Sequence, residues 1–156
     1  NNWEAHKEEE RNRRAALQKR SISILDDVPN NLPALVRAKK LTKRAARVGF
    51  DWPQTDQVIA KIDEELAEVK AEIYANTSQN CLEDEIGDLL FTVANLARHY
   101  KIDPETALKK TNRKFIDRFH FIEQKLEASG MSFEDASLEL MEEHWQTAKT
   151  MLLKIE

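Results

Sequence analysis

The sequence predicts an all-α protein, an antiparallel helical bundle. No stretch alternates apolar and polar residues over a useful strand length. The 156 residues include only three glycines and four prolines, which suits long helices with short connections. Along most of the chain, apolar residues recur every three or four positions, the spacing of one helix face. The length fits one domain with its own core.

The elements follow in order. Residues 3–20, WEAHKEEERNRRAALQKR, are mostly charged with mixed signs. They predict a solvent-exposed helix or a linker, so residues 1–24 form a charged arm and 25–156 the folded domain. DDVPNN at 26–31 is a break. Asn30 or Asn31 is placed to cap a helix with Pro33 in its first turn. That helix runs to about Val48 and stops at Gly49. Its expected core face is Leu32, Leu35, Val36, Leu41, Ala45 and Val48.

The next helix spans about 55–74, with Ile59, Ile62, Leu66, Val69 and Ile73 as its stripe. A polar turn at 76–80 leads to a helix carrying Leu82, Ile86, Leu89, Leu90, Val93, Ala97 and Tyr100. Asp103-Pro104 then reads as a cap followed by proline at the first position. The helix it opens reaches about Ala128, with Leu108, Phe115, Phe119, Ile122 and Leu126 inward and Gly130 as terminator. A last helix covers about 138–153.

Composition excludes several classes. The net charge of −4 offers no basic field for nucleic acid. The single cysteine, Cys81, permits no internal disulfide and fits a cytoplasmic location. No apolar run nears the ~20 residues that span a bilayer, so no membrane partner is expected. With no GxxxxGK[ST] and no GxGxxG, any phosphate must be held by side chains and metal.

Two acidic segments, IDEELAEV at 62–69 and EDEIGDLL at 83–90, carry the chemistry. At 100° per residue, Glu65, Glu68 and Glu72 share one flank of their apolar stripe, with Glu64 farther round. Glu85 and Asp88 share one flank of theirs, with Thr92 beside them and Asn95 two turns beyond Asp88. Glu65 with Glu68, and Glu85 with Asp88, are pairs at helical spacing. Such pairs are either solvated surface or, if the stripes pack together, one site split over two helices. A like-charge pair at ~4 Å costs about 1 kcal/mol in water and ~4 kcal/mol near a protein surface. A shared divalent cation is the simplest counter-charge. The all-oxygen donor set favours Mg²⁺, with Mn²⁺ as a substitute, over iron or zinc. A di-iron bundle needs Glu-x-x-His motifs, and the histidines do not stand at that spacing from the inward acids.

Farther on, Lys110, Lys114 and Arg118 lie at i, i+4, i+8, either a surface ridge or phosphate contacts. Trp145 and Lys149, also i, i+4, are either core and surface or a base-stacking pair. Asn95 is either a surface amide or a hydrogen-bond donor to a sugar or base. His99 and Cys81 form no nucleophile–base set.

These segments carry a resemblance. EELAE (64–68) followed by EDEIGDLLF (83–91) resembles the ExxE…ExxD signature of the MazG family of nucleoside triphosphate pyrophosphohydrolases. LPALVRAKKLTKRAARVGFDW (32–52), VANLARHY (93–100), ALKKTNRKFIDRF (107–119) and MEEHWQTAK (141–149) resemble other segments of that family. The likeness is greatest to the C-terminal half of two-domain bacterial MazG proteins. WEAHKEEER then resembles the segment between domains, so an upstream domain is expected.

The resemblance implies an intertwined all-α homodimer and Mg²⁺-dependent cleavage of NTP or dNTP to the monophosphate and pyrophosphate. It places metal ligands at Glu65, Glu68, Glu85 and Asp88. It places nucleotide contacts at Lys114, Arg118, Trp145 and Lys149, with Asn95 a further candidate. Water attacking the α-phosphorus would be oriented by Glu64 or Glu65. The competing reading is a non-catalytic helical module that senses nucleotides or dimerises.

Overall fold

The computed structural model describes residues 2–17 and 22–152. Six helices follow one another: α1 (Asn2–Leu17), α2 (Ala34–Ala46), α3 (Thr55–Ala75), α4 (Gln79–His99), α5 (Pro104–Ala128) and α6 (Leu138–Leu152). No strand occurs among the described residues, and no helix there is long and apolar enough to cross a membrane. The all-α expectation holds.

Local chemistry sets the helix ends. Pro33 precedes α2 and no side chain caps its first turn. Neither Asn30 nor Asn31, the two residues expected there, is that cap, and Asn30 instead accepts a hydrogen bond from Arg37 Nη2 at 2.8 Å. After α2, Gly49 takes φ +87°, the left-handed region that turns the chain at least cost. At the start of α3, Gln57 Oε1 accepts from the Gln54 N–H at 3.3 Å. Ser78 Oγ accepts from the Cys81 N–H at 3.4 Å and opens α4. Arg98 and His99 occupy the last turn of α4, where positive charge suits the helix dipole. Pro104 opens α5 as the sequence predicts.

The chain forms two compact units, Asn1–Glu105 and Thr106–Glu156. In the first, α3 and α4 pack on each other and α2 packs on α4. The connection from α3 to α4 is residues 76–78, short enough that the two helices must run antiparallel. Asp27 accepts ion pairs from Arg44 on α2 and, at 3.7 Å, from Lys7 on α1. In the second unit, α5 and α6 meet through aromatic rings. Phe115 and Trp145 centroids lie 5.2 Å apart, and Phe119 stacks on Phe133 at 5.6 Å. Ile122, Leu126 and Ala148 are its buried apolar residues.

The core differs from the predicted stripes. On α3 the buried line is Val58, Glu65 and Val69. Ile59 and Leu66, one residue on from Val58 and Glu65 and therefore 100° round, are 43% and 39% exposed, and Ile73, a turn beyond Val69, is 55% exposed. On α4 Thr92, Ala94 and Asn95 are buried, whereas Ile86, Leu90, Val93 and Tyr100 are exposed. Val48, Leu108, Phe115 and Phe119, also expected inward, are exposed as well. These helices carry two adjacent apolar lines, and periodicity alone does not say which faces the core.

Ala94 is fully buried. Ala94→Leu should overpack this position and destabilise the fold by about 1–3 kcal/mol. Urea denaturation of the two proteins measures the difference.

Candidate active site

Glu65 lies on the buried line of α3, one helical turn before Val69. Its neighbours Val58 and Val69 drive that face inward, and the carboxylate goes with them, 4% exposed. The more exposed Glu68 and half-buried Glu85 complete a cluster. One carboxylate oxygen from each of the three lies within 4.8 Å of the others. The split pair of acids on successive helices therefore does meet.

Its electrostatics are those of an under-compensated acid cluster. Lys61 Nζ reaches Glu65 Oε1 at 2.7 Å and Glu64 Oε1 at 2.9 Å. These two hydrogen bonds, Glu65's the larger, raise the Lys61 pKa and keep it a cation. Glu65 Oε2 is buried with no hydrogen-bond donor. Beside it the Glu68 pKa is raised, first by hydrogen bonding with Glu65, then by desolvation and the negative charges of Glu65 and Glu85. Lys61 opposes that shift. A single ammonium thus serves several acids, and a buried carboxylate oxygen lacks a partner. Hard oxygen donors at this spacing, one of them unsatisfied, fit a divalent cation.

Asp88 stands outside the set of three. It lines a cavity of about 670 Å³ together with Lys61, Glu65 and Asn95. Phe50, Trp52 and Phe91 supply aromatic surface to the same cavity. The volume falls within the range of small-molecule sites, about 300–1,000 Å³. Glu64 is more exposed, its side chain 58% accessible, and is held by Lys61.

Residues 49–52 line the same cavity and are fastened to α4. Asp51 Oδ1 accepts from Arg98 Nη2 and from its neighbour's Trp52 N–H at 2.9 Å. His99 Nε2 lies 3.0 Å from the same oxygen. Burial by itself would raise the Asp51 pKa. The hydrogen bonds and positive charges of Arg98 and His99 outweigh it and hold the carboxyl below its usual range. Arg98 Nε also donates to Asn95 Oδ1 at 2.9 Å. Cys81 sits near the other end of α4, 18 residues from His99 or ~27 Å of helix, so no thiol–imidazole pair forms.

The remaining expected contacts belong to the second unit. Lys114 and Arg118 are on α5, Trp145 and Lys149 on α6. Arg118 Cζ lies 5.4 Å over the Trp145 ring, and Arg118 Nε is buried without an acceptor. Lys114 and Lys149 are exposed.

The sequence reading missed Lys61 and the 49–52 segment. Lys61 was detectable as the residue three and four positions before Glu64 and Glu65. Phe50 and Trp52 stand in a turn, off any helical stripe, where periodicity carries no signal.

Residues 54–121 match the MazG nucleotide pyrophosphohydrolase domain family. The chain is 47% identical over 148 residues to the nucleoside triphosphate pyrophosphohydrolase of Escherichia coli (strain K12), covering 94% of this chain and 54% of that protein. It is 38% identical over 147 residues to the nucleoside triphosphate pyrophosphohydrolase/pyrophosphatase MazG of Thermotoga maritima, with coverages of 94% and 54%. Bacillus subtilis (strain 168) YabN, named as uncharacterized, is 43% identical over 148 residues, 95% of this chain and 29% of that protein. The chain spans about half the length of the first two relatives.

Proposed function

The chain belongs to the MazG nucleotide pyrophosphohydrolase family, and on that premise we propose that it hydrolyses nucleoside triphosphates, ribo or deoxy, to monophosphate and pyrophosphate. The observation that carries this reading is the cluster of Glu65, Glu68 and Glu85 with an unpartnered Glu65 oxygen at the edge of a nucleotide-sized cavity. Glu65, Glu68, Glu85 and Asp88 would hold Mg²⁺, with Mn²⁺ as substitute. The cation supplies charge neutralisation for phosphoryl oxygens when bound.

The chain's own groups do the rest. A water oxygen forms a bond to the α-phosphorus as the bond from that phosphorus to the bridging oxygen breaks. Pyrophosphate leaves with the bridging oxygen, and the water's proton passes to a carboxylate. Glu64 or Glu65 takes that role, and the shared ammonium of Lys61 holds the two side chains in register. Lys114, Arg118, Trp145 and Lys149 are the nucleotide contacts, supported by the unpaired Arg118 Nε beside an aromatic face. The native state is a homodimer in the cytoplasm. Exposed apolar lines on α3 and α4 support the first, and the free exposed Cys81 supports the second.

ATP incubated with the protein and Mg²⁺ should give AMP and pyrophosphate, and EDTA should stop the release. ADP and phosphate as products would overturn the bond assignment. Absence of turnover across a panel of ribo- and deoxynucleoside triphosphates would favour a nucleotide-sensing module.

A further inference from the structure

The acids occupy one part of the cavity and explain how phosphates are held. The aromatic part has no such role yet. Along α4, Asn95 is seven residues beyond Asp88, a rise of ~10 Å, and Arg98 and His99 lie one turn farther. Asn95 is therefore separated from Asp88 along the helix by roughly the length of a nucleoside, and Arg98 and His99, which fasten the 49–52 segment, lie ~15–17 Å from Asp88. Trp52 and Phe50 wall the cavity from that segment, 43% and 81% exposed. Neither ring is buried in the core, so neither is needed there for packing.

The polar groups around them form one chain. The Trp52 backbone N–H donates to Asp51, Asp51 accepts from Arg98, and Arg98 donates to Asn95. Arginine has only donors, so the Asn95 atom facing Arg98 Nε must be its oxygen. That fixes the orientation of the amide. Its NH₂ is committed to no acceptor among the described residues, while the side chain, 9% exposed, lines the cavity. Asn95 is thus held as a donor.

We propose that Trp52, flanked by Phe50, is the platform on which the nucleobase stacks, and that Asn95 donates its amide N–H to an acceptor on the edge of that base. Asp51, Arg98 and His99 are positioning residues that hold the platform and the amide relative to each other. Stacking on an aromatic face tolerates any base, because every base has a π-face. The donor from Asn95 adds a requirement for a ring nitrogen or carbonyl acceptor. The assignment rests on the nucleotide reading above but not on which phosphate bond is cut.

Equilibrium dialysis separates the two. Labelled ATP with Mg²⁺ at low temperature, and unlabelled inorganic tripolyphosphate as competitor, would be measured on wild type, Trp52→Ala, Trp52→Phe and Asp51→Asn. Trp52→Ala should weaken ATP at least tenfold and leave tripolyphosphate affinity within twofold, because tripolyphosphate has no base. Trp52→Phe should restore most of the affinity. Asp51→Asn keeps an acceptor but loses its charge, and should weaken ATP severalfold with the same indifference to tripolyphosphate. Circular dichroism confirms that each variant is folded. Unchanged ATP affinity in Trp52→Ala, or equal losses for both ligands, overturns the platform. Wild-type ATP binding without pyrophosphate release would instead defeat the hydrolase reading and leave the binding comparison intact.

Discussion

Glu65→Gln should release no measurable pyrophosphate, and Asp88→Asn should fall by roughly 10²-fold or more, both with wild-type helicity. The magnitude is that of removing one group dedicated to transition-state charge. Glu65 is the extreme case because of where the fold puts it. It is the one buried acid of the cluster, one oxygen is held by Lys61, and the other has no donor. Glutamine keeps the shape and the fit between Val58 and Val69 but deletes the charge. It also substitutes an amide donor, which Glu68 and Glu85 can accept.

The substitution should therefore separate stability from activity. Without metal, Glu65→Gln removes like-charge repulsion and should unfold at the same or a higher temperature than wild type. With Mg²⁺, the wild type should gain stability in proportion to ion binding, by RT ln(1 + [L]/Kd), and the variant should gain little. Thermal melts with and without 10-fold steps of Mg²⁺ measure this alongside pyrophosphate release. Near-normal turnover in both variants would sink the metal assignment. A large loss of stability in Glu65→Gln would mean that the carboxylate serves the fold instead.

The acidic pairs were legible in the sequence because their chemistry and their spacing point the same way. Each pair is three residues apart, and on successive helices the pairs need only a short antiparallel connection to meet, which residues 76–78 supply. The polar turn before α4, the proline that opens α5 and the stop at Gly49 were legible for the same local reason, whereas the cap at Ser78 was not singled out. The core was less so. Val58 and Ile59 are both β-branched, adjacent and apolar, and only tertiary packing selects Val58 for the interior. Least visible was the 49–52 segment, because a turn held by Asp51, Arg98 and His99 depends on residues nearly fifty positions apart. A pattern read within one helix cannot find such a pairing.

The helix faces that defeated the periodicity argument lead to the other large effect. Leu90→Glu should convert a dimer to a monomer and remove activity at submicromolar protein. Ile59, Leu66 and Ile73 recur every seven residues on α3, and Ile86, Leu90 and Val93 fall at i, i+4 and i+7 on α4. All six are more than a third exposed. The seven-residue repeat is the spacing by which helices of separate chains seat side chains against one another. Two helices in contact each offer such a line to water, and exposed apolar surface of this kind marks an interaction site. A second copy of the chain is the occupant that also fits the proposed dimer. Leu90 is the most exposed of the α4 three, so a charge there disturbs the monomer least and a buried interface most. Sedimentation should show the wild type as a dimer and Leu90→Glu as a monomer, and only the wild-type melting temperature should rise with protein concentration. A monomeric wild type, or a variant that stays dimeric, would move the interface elsewhere. Loss of association with full turnover would show that the cavity and its acids are complete within one chain.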